Sequence, residues 1–463
     1  MKSIGNIQPP RRSWVALLLV LTLLALALRV YYVNTTVVVS PLRGDAGQYS
    51  LYAWNLAHHG TFAKDIPGAT SVTPDNYRDP GYPLFLAGCL KILGDGTAWY
   101  SAILLSQALL GALTVTLVTQ LGRYWLSPRW AAAAGLLMAV WPHNITIGGY
   151  LLSETLFGFL CAVGMLLCAV ACRKKSYWQA AFAGIILGCA SLTNAMLSPF
   201  ALLLGGFLAW RRLAPRGICV VLAISSLLLP GVWAIRNTQI ANGIAGSSSK
   251  DRALQNLVEG SWPDFQSAWR DSIFGSDAMK AAARIKLHTV DMEYLSLRTS
   301  PWAGARAMMQ RLGQQPWQYA AWYLFEKPYS LWSWDIQIGQ GDIYPFPVVN
   351  APFQKQPAWM ALGAICHGLN PLLIFLALAS VLFTLSKPDP NDGHDRTMLV
   401  VAISLMSFVT LIYSILQAEP RYSIPFRPYE MLLAMTALSG FASQWRKRRM
   451  AANPLKIAAI PSQ

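Results

Sequence analysis

The chain has 463 residues, of which 54% are hydrophobic and only 13% charged, with a mean hydropathy of +0.37. A soluble domain carries about 25% charged residues, so the composition excludes a soluble enzyme or binding module and predicts an integral membrane protein. Lys and Arg outnumber Asp and Glu by 37 to 21, but no basic soluble segment is visible. The excess reads as cytoplasmic-loop charge and contact with anionic lipid, with the lipid bilayer and no nucleic acid as a partner. The seven cysteines all lie in apolar stretches without CxxC or His spacing, which predicts small buried hydrophobes and neither a disulfide frame nor a zinc site.

In chain order, the first apolar run, 14–33, follows Arg11-Arg12. It is long and lacks a small-residue cleavage site, which predicts a retained anchor. A spanning helix needs about 20 apolar residues. Further candidates are 99–121, 130–149, 152–171, 179–196, 197–211, 217–235, 361–385, 397–417 and 426–444. This predicts an all-α polytopic membrane protein with about ten transmembrane helices. Asn194 and Pro199 mark a tight or irregular turn between two of them. Leu84–Leu93 is too short to cross and is expected in the interface. Arg11-Arg12, Arg123 with Arg129, Arg173-Lys174-Lys175, Arg211-Arg212 with Arg216, and Arg446–Arg449 fall on one side under this count, which predicts a cytoplasmic location for them and for both termini. Two long loops, 34–98 and 236–360, then face outward and carry interfacial helices. In the second, Asn242–Asp251 reads as a flexible linker, and the aromatic Gln315–Trp334 as a headgroup-level segment. The expected organisation is a membrane module over 1–235 including loop 34–98, a loop region over 236–360, and C-terminal helices with a basic tail over 361–463.

The chemistry-bearing residues cluster on the outward side. Asp45, Tyr49, Ala53, Leu56 and Gly60 share one helical face. Asp45 reads either as that helix's N-cap or as a carboxylate placed to take a proton from an acceptor hydroxyl or amine. Arg78-Asp79-Pro80-Gly81-Tyr82-Pro83 joins a phosphate-capable guanidinium to a second acid in a turn held by prolines; the alternative is a structural Arg78–Asp79 contact. Glu154 stands at the outer end of the fourth span, where an ionisable group is costly unless it faces a wet cavity or a cation, or snorkels. Arg236 closes the seventh span. In Glu419-Pro420-Arg421-Tyr422, Arg421 offers a bidentate fork for a phosphate, with Glu419 holding it; a plain interfacial ion pair is the alternative. Arg427 is a second candidate.

Asp45-x-x-x-Tyr49-x-x-x-Ala53-x-x-Leu56-x-x-x-Gly60, followed by Arg78-Asp79-Pro80-Gly81-Tyr82-Pro83, resembles the GT-C membrane glycosyltransferases, nearest the branch of the protein O-mannosyltransferases and the lipid A aminoarabinose transferase. The likeness is strongest over residues 1–240 and returns at Glu419-x-Arg421-Tyr422; Pro230–Asn237 resembles the family's Pro-Trp-Arg-Asn signature. The resemblance implies that Asp45 is the catalytic base, that Asp79 places acceptor or donor, and that the donor is a polyprenyl-phosphate sugar. The expected function is transfer of that sugar to an envelope glycan, lipid or protein acceptor at the periplasmic face of a bacterial inner membrane. Asp45 and Asp79 are the catalytic candidates. Tyr49, Arg78, Tyr82, Glu154, Arg236, Glu419 and Arg421 are the substrate-binding ones. No nucleotide motif is present. A divalent cation on Asp45, Asp79 and Glu154 is the one cofactor left open. The rivals are a polymerase or ligase using lipid-diphosphate donors, which calls for a more basic outer loop, and a transporter or flippase, which calls for an inverted repeat and midspan charges.

Overall fold

A computed structural model describes residues 12–240, 248–335, 347–386 and 396–451. Arg11, most of the expected linker Asn242–Asp251, and Asp389–Asp392 lie outside the described residues. The helices in chain order are α1 (Arg12–Thr35), α2 (Gly44–His59), α3 (Gly81–Leu93), α4 (Thr97–Gly122), α5 (Pro128–Val140), α6 (Pro142–Thr146), α7 (Glu154–Lys174), α8 (Tyr177–Thr193), α9 (Phe200–Trp210), α10 (Arg216–Gln239), α11 (Ser249–Gly260), α12 (Phe265–Phe274), α13 (Asp277–Thr299), α14 (Pro301–Gln314), α15 (Pro316–Ala321), α16 (Lys327–Trp332), α17 (Pro352–Lys355), α18 (Pro357–Ser386), α19 (Arg396–Ile415), α20 (Pro420–Ser423) and α21 (Arg427–Ala451). The two-residue strands β1 (Val37–Val38) and β2 (Val348–Val349) pair antiparallel and tie the segment 34–98 to the segment 236–360.

All ten predicted apolar segments are helical. Six of them, α1, α4, α7, α10, α18 and α19, are long and apolar enough to cross a membrane. The segment 130–149 is not one helix. Pro142 cannot continue the ladder of α5, and the chain turns at Trp141, whose ψ is 121°, into the short α6. The stretch 179–211 breaks where expected: Asn194 leaves helical geometry and its side chain caps the turn at Met196 N. The α8–α10 packing is close because glycines permit it. A Cβ on Gly184 would lie 2.5 Å from the Leu222 carbonyl oxygen, and one on Gly188 2.8 Å from that of Ser226. The main core runs through α4, α5, α7, α8, α9, α19 and α21.

Two of the smaller cores bear on the site. One packs α2 and α3 on α4 through Tyr49, Tyr82, Leu86 and Ile103. Short α3 keeps Leu84 and Ile92 exposed, as an interfacial helix would. The other belongs to α11–α14 and is built from Val258, Phe265, Val290 and Leu297. This unit is clamped onto the apolar helices at Gly260. Its carbonyl accepts from Lys327 Nζ at 2.9 Å and Trp322 Nε1 at 3.0 Å, and a Cβ there would meet Leu416 O at 2.4 Å. In the aromatic segment, Trp317, Leu324, Phe325 and Tyr329 are exposed while Leu331 and Trp332 are buried, the split of a helix lying on an apolar surface.

Candidate active site

The first turn of α2 carries Asp45. It is not the N-cap: Arg43 holds that position, with no side-chain cap bond. The Asp45 carboxylate therefore turns away from the helix end and meets two arginines. Arg78 Nη2 donates to Oδ1 at 2.6 Å, and Arg421 Nη2 donates to Oδ2 at 3.1 Å. Arg78 is held by a further bond from Nε to Gln48 Oε1 at 2.6 Å and lies over the rings of Tyr49 and Tyr77. Arg421 also ion-pairs with Glu154 Oε1 at 3.3 Å and lies over Tyr422. The cluster is thus a chain of alternating charge, Arg78–Asp45–Arg421–Glu154, drawn from the segment 34–98, the start of α7 and α20.

Burial alone would raise the Asp45 carboxyl, but Arg78 and Arg421 outweigh it and hold the group well below the usual carboxylate range. Against burial, Asp45 raises the Arg78 guanidinium above its ordinary value, and Glu154, Glu419 and Asp45 do the same for Arg421. Glu419, buried behind Arg421, is pushed up by burial, with Arg421 opposing. The side chain of Asp45 stays 27% exposed, against 8% for Arg78 and 10% for Arg421. One edge of the carboxylate is open to a cavity of about 460 Å³ lined by Tyr49, Asp79, Glu154, Arg421 and, from the far wall, α11 and Tyr413.

The other predicted residues fall on both sides of this boundary. Asp79 lines the cavity; it accepts from Ala195 N at 3.1 Å and pairs with Arg252 at 3.7 Å, not with Arg78. Tyr82 is fully buried and donates to Gln107 Oε1 at 2.8 Å, a packing role away from the cavity. Arg236 also stands outside it. Its Nη1 donates to Asp75 O at 2.6 Å, and the group lies over Trp233, so it braces the first outer loop. Arg427 is buried away from the cavity as well. Arg252, Gln255, Asn256 and Glu259 line the cavity from α11 and escaped the sequence reading, which took the approach to that helix for a linker. The legible signal was there: Ser248 and Asp251 form a capping box, and the four residues follow at one-face helical spacing.

Among the described residues, no three His, Cys, Asp or Glu side chains gather to hold a metal ion. The acids expected as cation ligands are each paired with a guanidinium instead: Asp45 with two, Glu154 with Arg421, and Asp79 with Arg252.

The description "Dolichyl-phosphate-mannose-protein mannosyltransferase" belongs to a family model that matches residues 92–244, about a third of the chain. No curated protein matches the sequence. The oligosaccharyltransferase of Archaeoglobus fulgidus in its apo form aligns with 96% of this chain at 15% identity and a TM-score of 0.52. The same archaeal enzyme, AglB, in complex with an inhibitory peptide and a dolichol-phosphate, aligns with 98% at 15% identity and a TM-score of 0.51. The chain spans 52% of the length of each. ArnT from Cupriavidus metallidurans, bound to undecaprenyl phosphate, aligns with 97% of this chain and 81% of its own at 14% identity, with a TM-score of 0.36 that is too low to bear on the fold. The chain thus shares the fold of the archaeal oligosaccharyltransferase, and its residues 92–244 match the mannosyltransferase family model.

Proposed function

We propose that the protein transfers a sugar from a polyprenyl-phosphate donor to an envelope glycan, lipid or protein acceptor. The observation that carries this reading is the Arg78–Asp45–Arg421 cluster at the wall of the 460 Å³ cavity. A lipid phosphate leaving its sugar gains negative charge, and two guanidiniums already aimed at an anion are preorganised to receive it. When the donor phosphate engages Arg78 and Arg421, Asp45 loses the partners that depress its basicity. It can then take the proton from the acceptor hydroxyl or amine as that atom bonds to the anomeric carbon and the lipid phosphate departs. Asp79 contributes by joining the first outer loop to α11 and to the turn at Ala195.

The alternation of basic clusters supports a bacterial inner-membrane protein of ten crossings with cytoplasmic termini and a periplasmic cavity. Residues 1–235 and 361–463 then form the membrane module, and 236–360 covers its outer face. A solved relative of the same fold carries dolichol-phosphate, in keeping with a donor of this class. A divalent cation would enter the cluster only by displacing a guanidinium from Asp45 or Glu154, so the reading runs through the arginines. The test is transfer from a short-chain polyprenyl-phosphate sugar in detergent, with and without EDTA. Transfer that persists in EDTA and collapses in Arg421→Ala is expected; transfer indifferent to Arg421 sinks the reading.

A further inference from the structure

The far wall of the cavity is a helix face that the charge cluster does not use. Arg252, Gln255, Asn256 and Glu259 stand at successive one-face positions of α11, and all four line the cavity. The same cavity is also lined by an aromatic pair: Tyr413 and Tyr422 stack with ring centroids 5.1 Å apart and planes at 19°. The α11 residues are half-buried, and their hydrogen-bonding capacity is only partly spent. Asn256 Nδ2 donates to Arg252 O at 2.8 Å, and its side-chain oxygen remains an acceptor. No ion pair with Lys or Arg is formed by Glu259 among the described residues.

The stripe is also rigid. The capping box fixes the start of α11, and the Gly260 clamp fixes its end one residue beyond Glu259. A graded row of donors and acceptors together with aromatic faces is how a protein holds a pyranose or furanose ring: the hydroxyls take the polar row, and the apolar ring face takes the aromatics. Resting on the donor-phosphate reading above, we infer that the polar stripe of α11 and the Tyr413–Tyr422 pair form the subsite for the donor's glycosyl group, so that the α11 unit and the end of α19 read the sugar together. Burial moves the Glu259 carboxyl up to about 7, with Asp291 adding and Gln255 opposing, so near neutrality the group both gives and takes hydrogen bonds to hydroxyls.

The experiment compares binding of a bare short-chain polyprenyl phosphate with the same lipid phosphate carrying glucose, mannose or arabinose, using the detergent-solubilised full chain. Wild type is expected to bind at least one glycosylated form about tenfold tighter than the bare lipid, the scale of one or two hydrogen bonds. Asn256→Ala and Glu259→Ala should erase that increment and leave affinity for the bare lipid phosphate unchanged. Gln255→Ala serves as a third variant should either fail to fold. Equal binding of bare and glycosylated lipids by wild type overturns the subsite, and so does an increment that survives all the folded variants. Failure of the phosphate reading looks different: Arg421→Ala would then bind the bare lipid as wild type does.

Discussion

Two arginines six positions apart, Arg421 and Arg427, have opposite fates, and the contrast separates scaffold from site. Arg427 is 1% exposed, and both of its terminal nitrogens are bonded within the core. It gives Nη1 to Asn370 Oδ1 and Glu430 Oε2 at 2.9 and 3.0 Å, and Nη2 to the carbonyls of Trp332 and Ser333 at 3.0 and 2.7 Å. Those bonds pin α16 and α18 to the start of α21. Arg421 instead holds carboxylates that border a cavity. A guanidinium bonded to backbone carbonyls in a closed core has nothing to exchange. One bonded to anions at a cavity wall can trade them for a phosphate.

The largest expected effect is at the closed arginine. Arg427→Ala strands Glu430 and two carbonyls, and breaking a buried pair costs about 3–5 kcal/mol. Little folded protein should survive size-exclusion chromatography, and any folded fraction should turn over close to wild type. Normal folding with no transfer would reverse the assignment of the two arginines. Next, Arg421→Ala should fold normally and lose transfer by about 10²–10³-fold, the cost of removing a preorganised charge from the transition state. Arg421→Lys should fall less far, since it keeps the charge and loses the fork. A loss of thermal stability in place of turnover would erase the contrast. Asp45→Asn should reduce transfer by at least about a hundredfold, the scale of a general base, with yield unchanged; near-normal turnover excludes Asp45 as base.

The smallest effect is on stability against pH. Glu259 is raised by burial from 4.5 to about 7. The folded state then binds the extra proton between those values, and its contribution to stability is lost as pH rises through that window. Lys327 is lowered by burial from 10.5 to about 7, so the unfolded state binds the extra proton above 7, and stability from this group grows with pH there. Thermal denaturation of Glu259→Gln should lose the acid-side slope and keep the alkaline one, while Lys327→Met should do the reverse. Slopes unchanged in both variants would place neither group in the buried setting described here.

Composition and apolar run length determined the class of this protein. The ten apolar runs all folded as helix, one of them broken at Pro142, because a chain that must satisfy its own backbone in lipid has few options besides the helix. The local motifs marked Asp45, Arg78 and Arg421, since a charge flanked by aromatics at the end of an apolar run is costly unless used. What tertiary structure alone decided is which charges meet. Arg78 is followed directly by Asp79 yet bonds Asp45, 33 positions away, and Arg421 reaches Asp45 across 376. Tyr82 and Arg236 resemble their neighbours in the motifs but point into packing. The α11 wall was overlooked because a short polar helix has no apolar run to announce it. Its place at the cavity comes from the Gly260 clamp, a contact between backbone and side chains from three distant segments. Local propensity is written in nearest neighbours; ion-pair partners are chosen by whichever packing leaves no charge buried alone.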